Sequence, residues 1–384
     1  MITARGHRRF RRNAMAALVV LGMTAAACGG DDDAPDAAAT EDADTADTAD
    51  TAEPAETPDT TAPAETPDTT EPAEPGGAYA PQPLEERATV RVALSAPLEY
   101  AAPLTFAQEF GEFEKENLEV EIVITQDSLT AMTAGEIDAV WGAPSAGFIN
   151  AVAAGLEQKW VAGNYTSPAD SLSGLWMRKE VIGDPPDLAN LAGTTTSNSQ
   201  TGGVVTYFID ELLEGTGVTI DQLGFEKLAP ADTLAALQNG ALDGAWLIDP
   251  LYKEIEDDPD LVFVGGQPLG EVGGGMIFGP PLLDPANEEV GTALLRAMRR
   301  TIDTYLQPGY KDDPEVVALL AELGGIPEEN VLASGELAFD LTIVDGLATR
   351  LQETWAALDL LESGEVLPED QVVDRSFVEA IESS

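Results

Sequence analysis

The words "LTAMTAGEIDAVWGAP" (129–144) return as "LAALQNGALDGAWLIDP" (234–250). Leu129, Gly135, Asp138 and Trp141 correspond to Leu234, Gly240, Asp243 and Trp246 at one offset of 105 residues. Ala131, Met132 and Ile137 match Ala236, Leu237 and Leu242 in the same register. The chain has only five tryptophans, so two in register carry more weight than the common residues around them. Stacked-repeat proteins show periods of about 20–50 residues. A single return after about twice that distance implies two lobes built on one plan.

The flanking sequence supports the same division. "TVRVAL" (89–94), "LEVEIVI" (118–124), "IDAVW" (137–141) and "QKWVAG" (158–163) read as strands. Between them lie helical stretches around 103–117, 128–135 and 144–155. Gly135 suits the left-handed end of the second of these. The series restarts with strands near 193–197, 223–228, 242–248 and 261–266, and helices near 200–215, 229–240 and 249–257. Strands alternating with helices predict an α/β protein whose mostly parallel sheets are covered on both faces. After residue 280 the pattern becomes mainly helical, with long amphipathic runs at 286–306 and 340–364.

The amino-terminal 87 residues read differently. Arg5, Arg8, Arg9, Arg11 and Arg12 precede an apolar run that ends in Ala25-Ala26-Ala27. A basic, then apolar, then small-residue order marks residues 1–27 as a signal peptide, too short for a comfortable membrane span. The arginine pairs leave general and twin-arginine export both open. Cys28, the only cysteine, stands where a bacterial lipobox places the lipidated thiol; an ordinary cleavage site with a stray cysteine is the alternative. Residues 28–87 are then almost wholly Asp, Glu, Ala, Thr and Pro, with "AETPDTT" repeated. Such a segment buries too little apolar surface to offset its ordering entropy, and prolines and like charges extend it. It reads as an acidic tether, with an interaction tail as the lesser reading.

Charge and histidine content exclude whole classes of function. Residues 88–384 hold 51 acidic residues against 13 basic ones, which argues against nucleic acid as a partner. The only histidine, His7, leaves with the leader, so Ser-His-Asp and Cys-His catalysis and histidine-bound zinc are excluded from the mature chain. No motif marks a catalytic carboxylate pair, and no metal site or cofactor is indicated. An enzyme is therefore not expected.

The motifs "FAQEFGEFEKENLEVEIV", "LTAMTAGEIDAVWGAPSAGFINAVAAG", "DLANLAGTTTSNSQTGGVVTYFIDELLEGTGV" and "LAALQNGALDGAWLIDPL" carry a family likeness in their order and spacing. Over roughly 88–384 the chain resembles the solute-binding proteins of ABC importers in the nitrate, sulfonate, taurine and thiamine-precursor group. The resemblance implies a two-lobed, type II periplasmic-binding-protein-like fold whose lobes are joined by two crossover strands. Lobe 1 would comprise 88–172 and 272–384, and lobe 2 would comprise 178–266. "SGLWMRK" and "GGQPLGEVGGGMIF" would be the crossovers, with Gly270 and 273–275 acting as hinges, as sites of close backbone approach, or as plain loop residues. Its partners would be a small solute, an ABC permease and ATPase, and the membrane through a lipid on Cys28. The protein would sit on the outer face of the cell membrane. A sensor role is the main alternative, and an enzyme on this fold the remotest.

Ligands of open α/β sheets lie beyond the carboxyl ends of the strands. That rule points to Ser95 and Pro97 after the first strand, Ser145 at a helix start, and Trp141 and Trp246 near strand ends. The tryptophans serve equally well as core, and Asp138 and Asp243 read as fasteners between helix and strand. Ser199, Gln200 and Thr201, in the loop "SNSQTGG", would offer donors and a helix start to an oxyanion, or would merely cap the helix. Asp249 would meet a ligand amine or cap a turn. Neither Arg91, inside a strand, nor Arg178, near a crossover, is placed to grip an anion. An organosulfonate or nitrate-like anion is the favoured ligand, ahead of a pyrimidine or other heterocycle.

Overall fold

The computed structural model describes residues 79–197, 202–228, 230–248 and 251–383. Twelve strands are present among them. They are β1 (Ala88–Leu94), β2 (Leu118–Ile124), β3 (Ala139–Gly142), β4 (Lys159–Gly163), β5 (Tyr165–Thr166), β6 (Gly174–Arg178), β7 (Thr195–Ser197), β8 (Gly224–Glu226), β9 (Gly244–Leu247), β10 (Leu261–Gly266), β11 (Gly275–Phe278) and β12 (Ala338–Phe339). Two five-stranded sheets form, in the orders β2-β1-β3-β11-β4 and β8-β7-β9-β6-β10. In these orders the two sheets follow one plan. In each, the first parallel strand lies between the second and the third, and a single antiparallel strand precedes the last. The antiparallel strand of each sheet lies apart in sequence from the three parallel strands that begin its plan: β6 precedes β7, and β11 follows β10.

The repeated residues do equivalent work in the two sheets. Asp138 accepts the backbone N–H of Arg91 on β1 at 2.8 Å, and Asp243 accepts that of Thr195 on β7 at 2.8 Å. The backbone N–H of each aspartate donates to the same partner residue's carbonyl, Arg91 at 2.9 Å and Thr195 at 3.0 Å. Each aspartate's own carbonyl accepts from the chain next to the antiparallel strand, Gly279 N–H in one case and Arg178 N–H in the other, both at 2.9 Å. Gly135 and Gly240, at φ +71° and +80°, end the preceding helices in the left-handed conformation that glycine adopts without strain. Arg91 adds a bidentate grip on Asp138 that the second copy lacks, with Nε at 3.0 Å and Nη2 at 2.7 Å.

Helices pack on the sheets where the apolar spacing places them. The core around β1 takes in Leu104, Phe106 and Ala107 of helix Ala102–Glu109 and Ala293–Leu295, Met298 and Ile302 of helix Glu288–Tyr305. Beneath it lies a buried charge network. Arg296 and Arg300 bind Glu116 at 2.8 and 2.7 Å, and Arg300 also binds Glu112. The same arginines donate to the carbonyls of Gln82 and Tyr79, which straps 79–84 to the fold. Paired in this way, the buried charges keep their hydrogen bonds.

The chain passes between sheets at 164–173 and 267–274: the first passage ends where the expected crossover 173–179 begins, which forms the interior strand β6, and the second lies within the expected crossover 265–278, which ends in the interior strand β11. The passages run side by side: Gly273 N–H donates to Tyr165 O at 3.0 Å, and Ser167 Oγ to Gln267 Oε1 at 3.2 Å. Close backbone approach explains two of the glycines. A Cβ on Gly275 would lie 1.7 Å from Ala162 O, and one on Gly274 would lie 2.7 Å from Gly142 O. Gly270 differs, having φ +78° and open space around it.

The helix Leu347–Ala357 lies along helix Val204–Leu213. Leu347, Leu351 and Trp355 share a core with Val204, Tyr207 and Phe208. Arg350 Nε donates to Tyr207 Oη at 3.0 Å, Tyr207 donates to Glu271 at 2.8 Å, and Arg350 closes the triad with Glu271. One expected helix is reduced to a turn: only Leu251–Glu254 coils, as a 3-10 segment. Glu256, Asp257 and Asp258 would oppose the negative end of a longer helix, and Pro259 disfavours helix before it.

Candidate functional site

The carboxyl ends of β1, β3 and β4 and the start of β11 lie on one side of the first sheet. Those of β7, β8 and β9 lie together on the second. The two sides meet directly. Ala146 N–H donates to Gly202 O at 2.8 Å, and Ser145 and Gly203 form an isolated bridge. The turn after β3 thus touches the chain that follows β7. Both are places where strand order reverses, which is where open α/β sheets leave a crevice.

On the first-sheet side, Ser95 and Pro97 are exposed beyond β1. Ser95 Oγ lies 2.9 Å from Tyr100 Oη, and Ser95 O accepts from Gln126 Nε2 at 2.5 Å. Ser145 Oγ accepts Phe148 N–H at 3.3 Å and so caps helix Ala146–Ala153, which leaves its hydroxyl proton for another acceptor. Trp141 is 0 % exposed and its indole N–H donates to Tyr100 O at 2.9 Å. It is core, and a ligand has no face of it to touch. The pleat turns it inward among Phe106, Phe113 and Met276.

Sequence reasoning passed over Tyr100 and Tyr165. Tyr165 follows β4, and the site of a Cβ on Gly273 would lie 3.2 Å from its phenol oxygen. That hydroxyl has no hydrogen-bond partner among the described residues. Burial, with repulsion from Tyr100 and Glu99, pushes the phenol up to about 12, so it remains a donor at neutral pH. Burial also raises Tyr100. A tyrosine two residues beyond a strand end in "AGNYTS" was the available signal.

On the second-sheet side, Ser197 Oγ contacts Glu226 O at 3.1 Å and Thr233 Oγ1 at 3.2 Å. Thr196 is buried with its hydroxyl unpartnered among the described residues. Trp246 is half-buried, its ring 5.7 Å from that of Phe208 at 34°. Its copy of the repeat therefore leaves an aromatic surface that Trp141 does not. Ser199, Gln200, Thr201, Asp249 and Cys28 lie outside the described residues. Among the described residues, no group of three or more His, Cys, Asp or Glu could hold a metal, and no helix is long and apolar enough to cross a membrane.

Solved structures match this arrangement over about three quarters of the chain. The fold is that of the type II periplasmic binding proteins. The alkanesulfonate-binding protein SsuA of Xanthomonas axonopodis pv. citri, bound to MOPS, superposes with a TM-score of 0.53 at 19 % identity, covering 76 % of this chain and 97 % of its own. The nitrate-binding protein NrtA of Synechocystis PCC 6803 gives 0.56 at 15 % identity, covering 79 % and 90 %. A ligand-binding component of an ABC-type import system from Staphylococcus aureus, with zinc bound, gives 0.58 at 14 % identity, covering 77 % and 100 %. No protein-family model matches the sequence, and no curated protein matches it.

Proposed function

We propose that this chain is the extracytoplasmic solute-binding component of an ABC importer, acting by capture and release without catalysis. The observation that carries the reading is the meeting of two like-built sheets at their strand ends, where hydroxyl and phenol groups converge. In this reading 88–172 with 272–384 form one lobe and 178–266 the other, and the passages 164–173 and 267–274 act as the hinge. The solute would be a small organosulfonate such as taurine, or a nitrate-like anion. Ser95, Ser145 and Tyr165 would contact it from one side, Trp246 and the loop 198–201 from the other, with Asp249 beside them. Residues 1–27 would direct export, Cys28 would carry the lipid, and 28–87 would hold the folded part away from the membrane. Permease and ATPase would receive the solute.

A second reading, a thiamine-precursor-type heterocycle, draws on the aromatic groups Tyr100 and Tyr165, which follow β1 and β4, and on Trp246 in β9. A thermal-shift panel separates the two, using taurine, alkanesulfonates, nitrate, hydroxymethylpyrimidine, thiamine and riboflavin. A solute at about a hundred times its dissociation constant adds about 2.7 kcal/mol of stability. A shift with sulfonates or nitrate supports the anion, and a shift with the heterocycles alone supports the second reading. A folded protein that responds to no solute sinks both.

A further inference from the structure

A counter-charge strengthens the hold of neutral donors on an anionic solute, and neither Arg91 nor Arg178 supplies one. Arg91 is held by Asp138, and Arg178 is paired with Glu180. The same pairing runs through the folded region. Of the fourteen lysines and arginines described, twelve have a carboxylate partner. In a domain with 51 acids against 13 bases this is the expected state of a cation, so the two exceptions are informative.

The first exception, Lys159, donates to Asp370 O at 2.6 Å and begins β4, at the amino end of its strand and away from the crevice. The second is Lys227. It is exposed, it directly follows the last residue of β8, and it has neither an ion-pair nor a hydrogen-bond partner among the described residues. β8 is parallel to β7 with Ser197 opposite Glu226, so Lys227 leaves the sheet one strand spacing, about 4.8 Å, from the end of β7. The hydroxyls of Ser197 and Thr233 meet beside it.

The duplicated plan shows what this position does elsewhere in the same molecule. The fasteners align Arg91 with Thr195, and so Ala93 with Ser197; Val123 lies opposite Ala93 and Glu226 opposite Ser197, so Ile124, the exposed last residue of β2, holds in the first sheet the place that Lys227 holds in the second. Directly after Ile124 the chain turns inward: Thr125 N–H donates to Leu94 O at 3.0 Å, and Gln126 reaches the carbonyl of Ser95. In the first sheet the end of the second strand therefore leads the chain over the end of the first strand, at the crevice.

We propose that Lys227 is the charge-recognising residue of the crevice, and that the solute carries an anionic head which its ammonium meets. This rests on the solute-binding reading and names the class of solute within it. A flexible ammonium suits a small oxyanion as a point charge, where a planar guanidinium would impose a bidentate geometry. Lys227 is exposed, so its contribution depends on salt.

The test is calorimetric titration of the full chain, wild type and the variants Lys227→Gln and Lys227→Arg. The probes are ethanesulfonate, taurine and nitrate, with ethyl methyl sulfone as the uncharged isostere and thiamine as a cation. The expected result is binding of an anionic probe by wild type, weakened about fivefold or more in Lys227→Gln and largely kept in Lys227→Arg, as for one partly exposed charge pair. The loss should shrink as salt rises, while the melting temperature without solute stays unchanged. Equal affinity in Lys227→Gln overturns the proposal, as does wild type binding the sulfone as tightly as the sulfonate. Binding of thiamine alone overturns it and leaves the solute-binding reading standing. Binding of no probe removes that reading and the assignment of Lys227 with it.

Discussion

The duplicated aspartates allow a comparison that the molecule sets up by itself. Asp243→Ala removes one charge-assisted bond, to Thr195 N–H, and leaves that half-buried donor without its partner. Leaving such a group unsatisfied costs about 1–3 kcal/mol. Asp138→Ala removes the equivalent bond to Arg91 N–H and also the bidentate grip of the Arg91 guanidinium. The Arg91 side chain is 34 % exposed, so its head rehydrates, and the extra loss is at most about 1 kcal/mol. The expected costs are therefore about 2 kcal/mol for Asp243→Ala and about 3 kcal/mol for Asp138→Ala. At about 2–4 °C per kcal/mol for a large domain, both are plain in a thermal melt. Urea denaturation at low and high salt separates the parts. The difference between the two variants should shrink in high salt, and the common cost should persist. An Asp243→Ala protein as stable as wild type, or a difference indifferent to salt, would refute the fastener account.

Two further outcomes follow from the geometry. Gly275→Ala places a Cβ at 1.7 Å from a backbone oxygen in the middle of the first sheet, so β11 or β4 must shift; a loss of about 3 kcal/mol or more is expected from the denaturant midpoint. Tyr165 has its folded pKa raised to about 12 from an ordinary 10.0, so its contribution to stability is full below pH 10 and is lost as pH rises through 12. Phenolate absorbance of the native protein should show a tyrosine titrating near 12 that Tyr165→Phe removes, and that variant should lose less stability over the same range.

The repeat was legible because it rests on local chemistry. A helix closed by a left-handed glycine, an aspartate three residues on, and a buried strand make a unit whose parts lie within twenty residues of each other. The alternation in "LEVEIVI" and the apolar spacing around Leu104 and Phe106 placed strands and helices in the same way, since their periods follow the backbone. The aspartates were read as fasteners, and they are bonded as fasteners. The helix expected at 249–257 is cut short because end effects, the acidic run and Pro259, outweigh its apolar residues.

What the sequence could not decide is which face of each copy looks outward. Trp141 and Trp246 stand at the same place in the repeat, yet one is sealed among Phe106, Phe113 and Met276 and the other lies half-open against Phe208. Packing from helices remote in the chain makes that difference, and no local pattern encodes it. Tyr165 and Lys227 were missed for the same reason: a phenol becomes a crevice donor, and a lysine an unpaired cation, only when the strand ends and all other carboxylates have been placed. The sequence by itself determined two copies of one strand order and the residues that fasten each. Tertiary structure alone decided how the strand ends meet, because contacts such as Ala146 with Gly202 and Tyr165 with Gly273 join residues that local periodicity never relates.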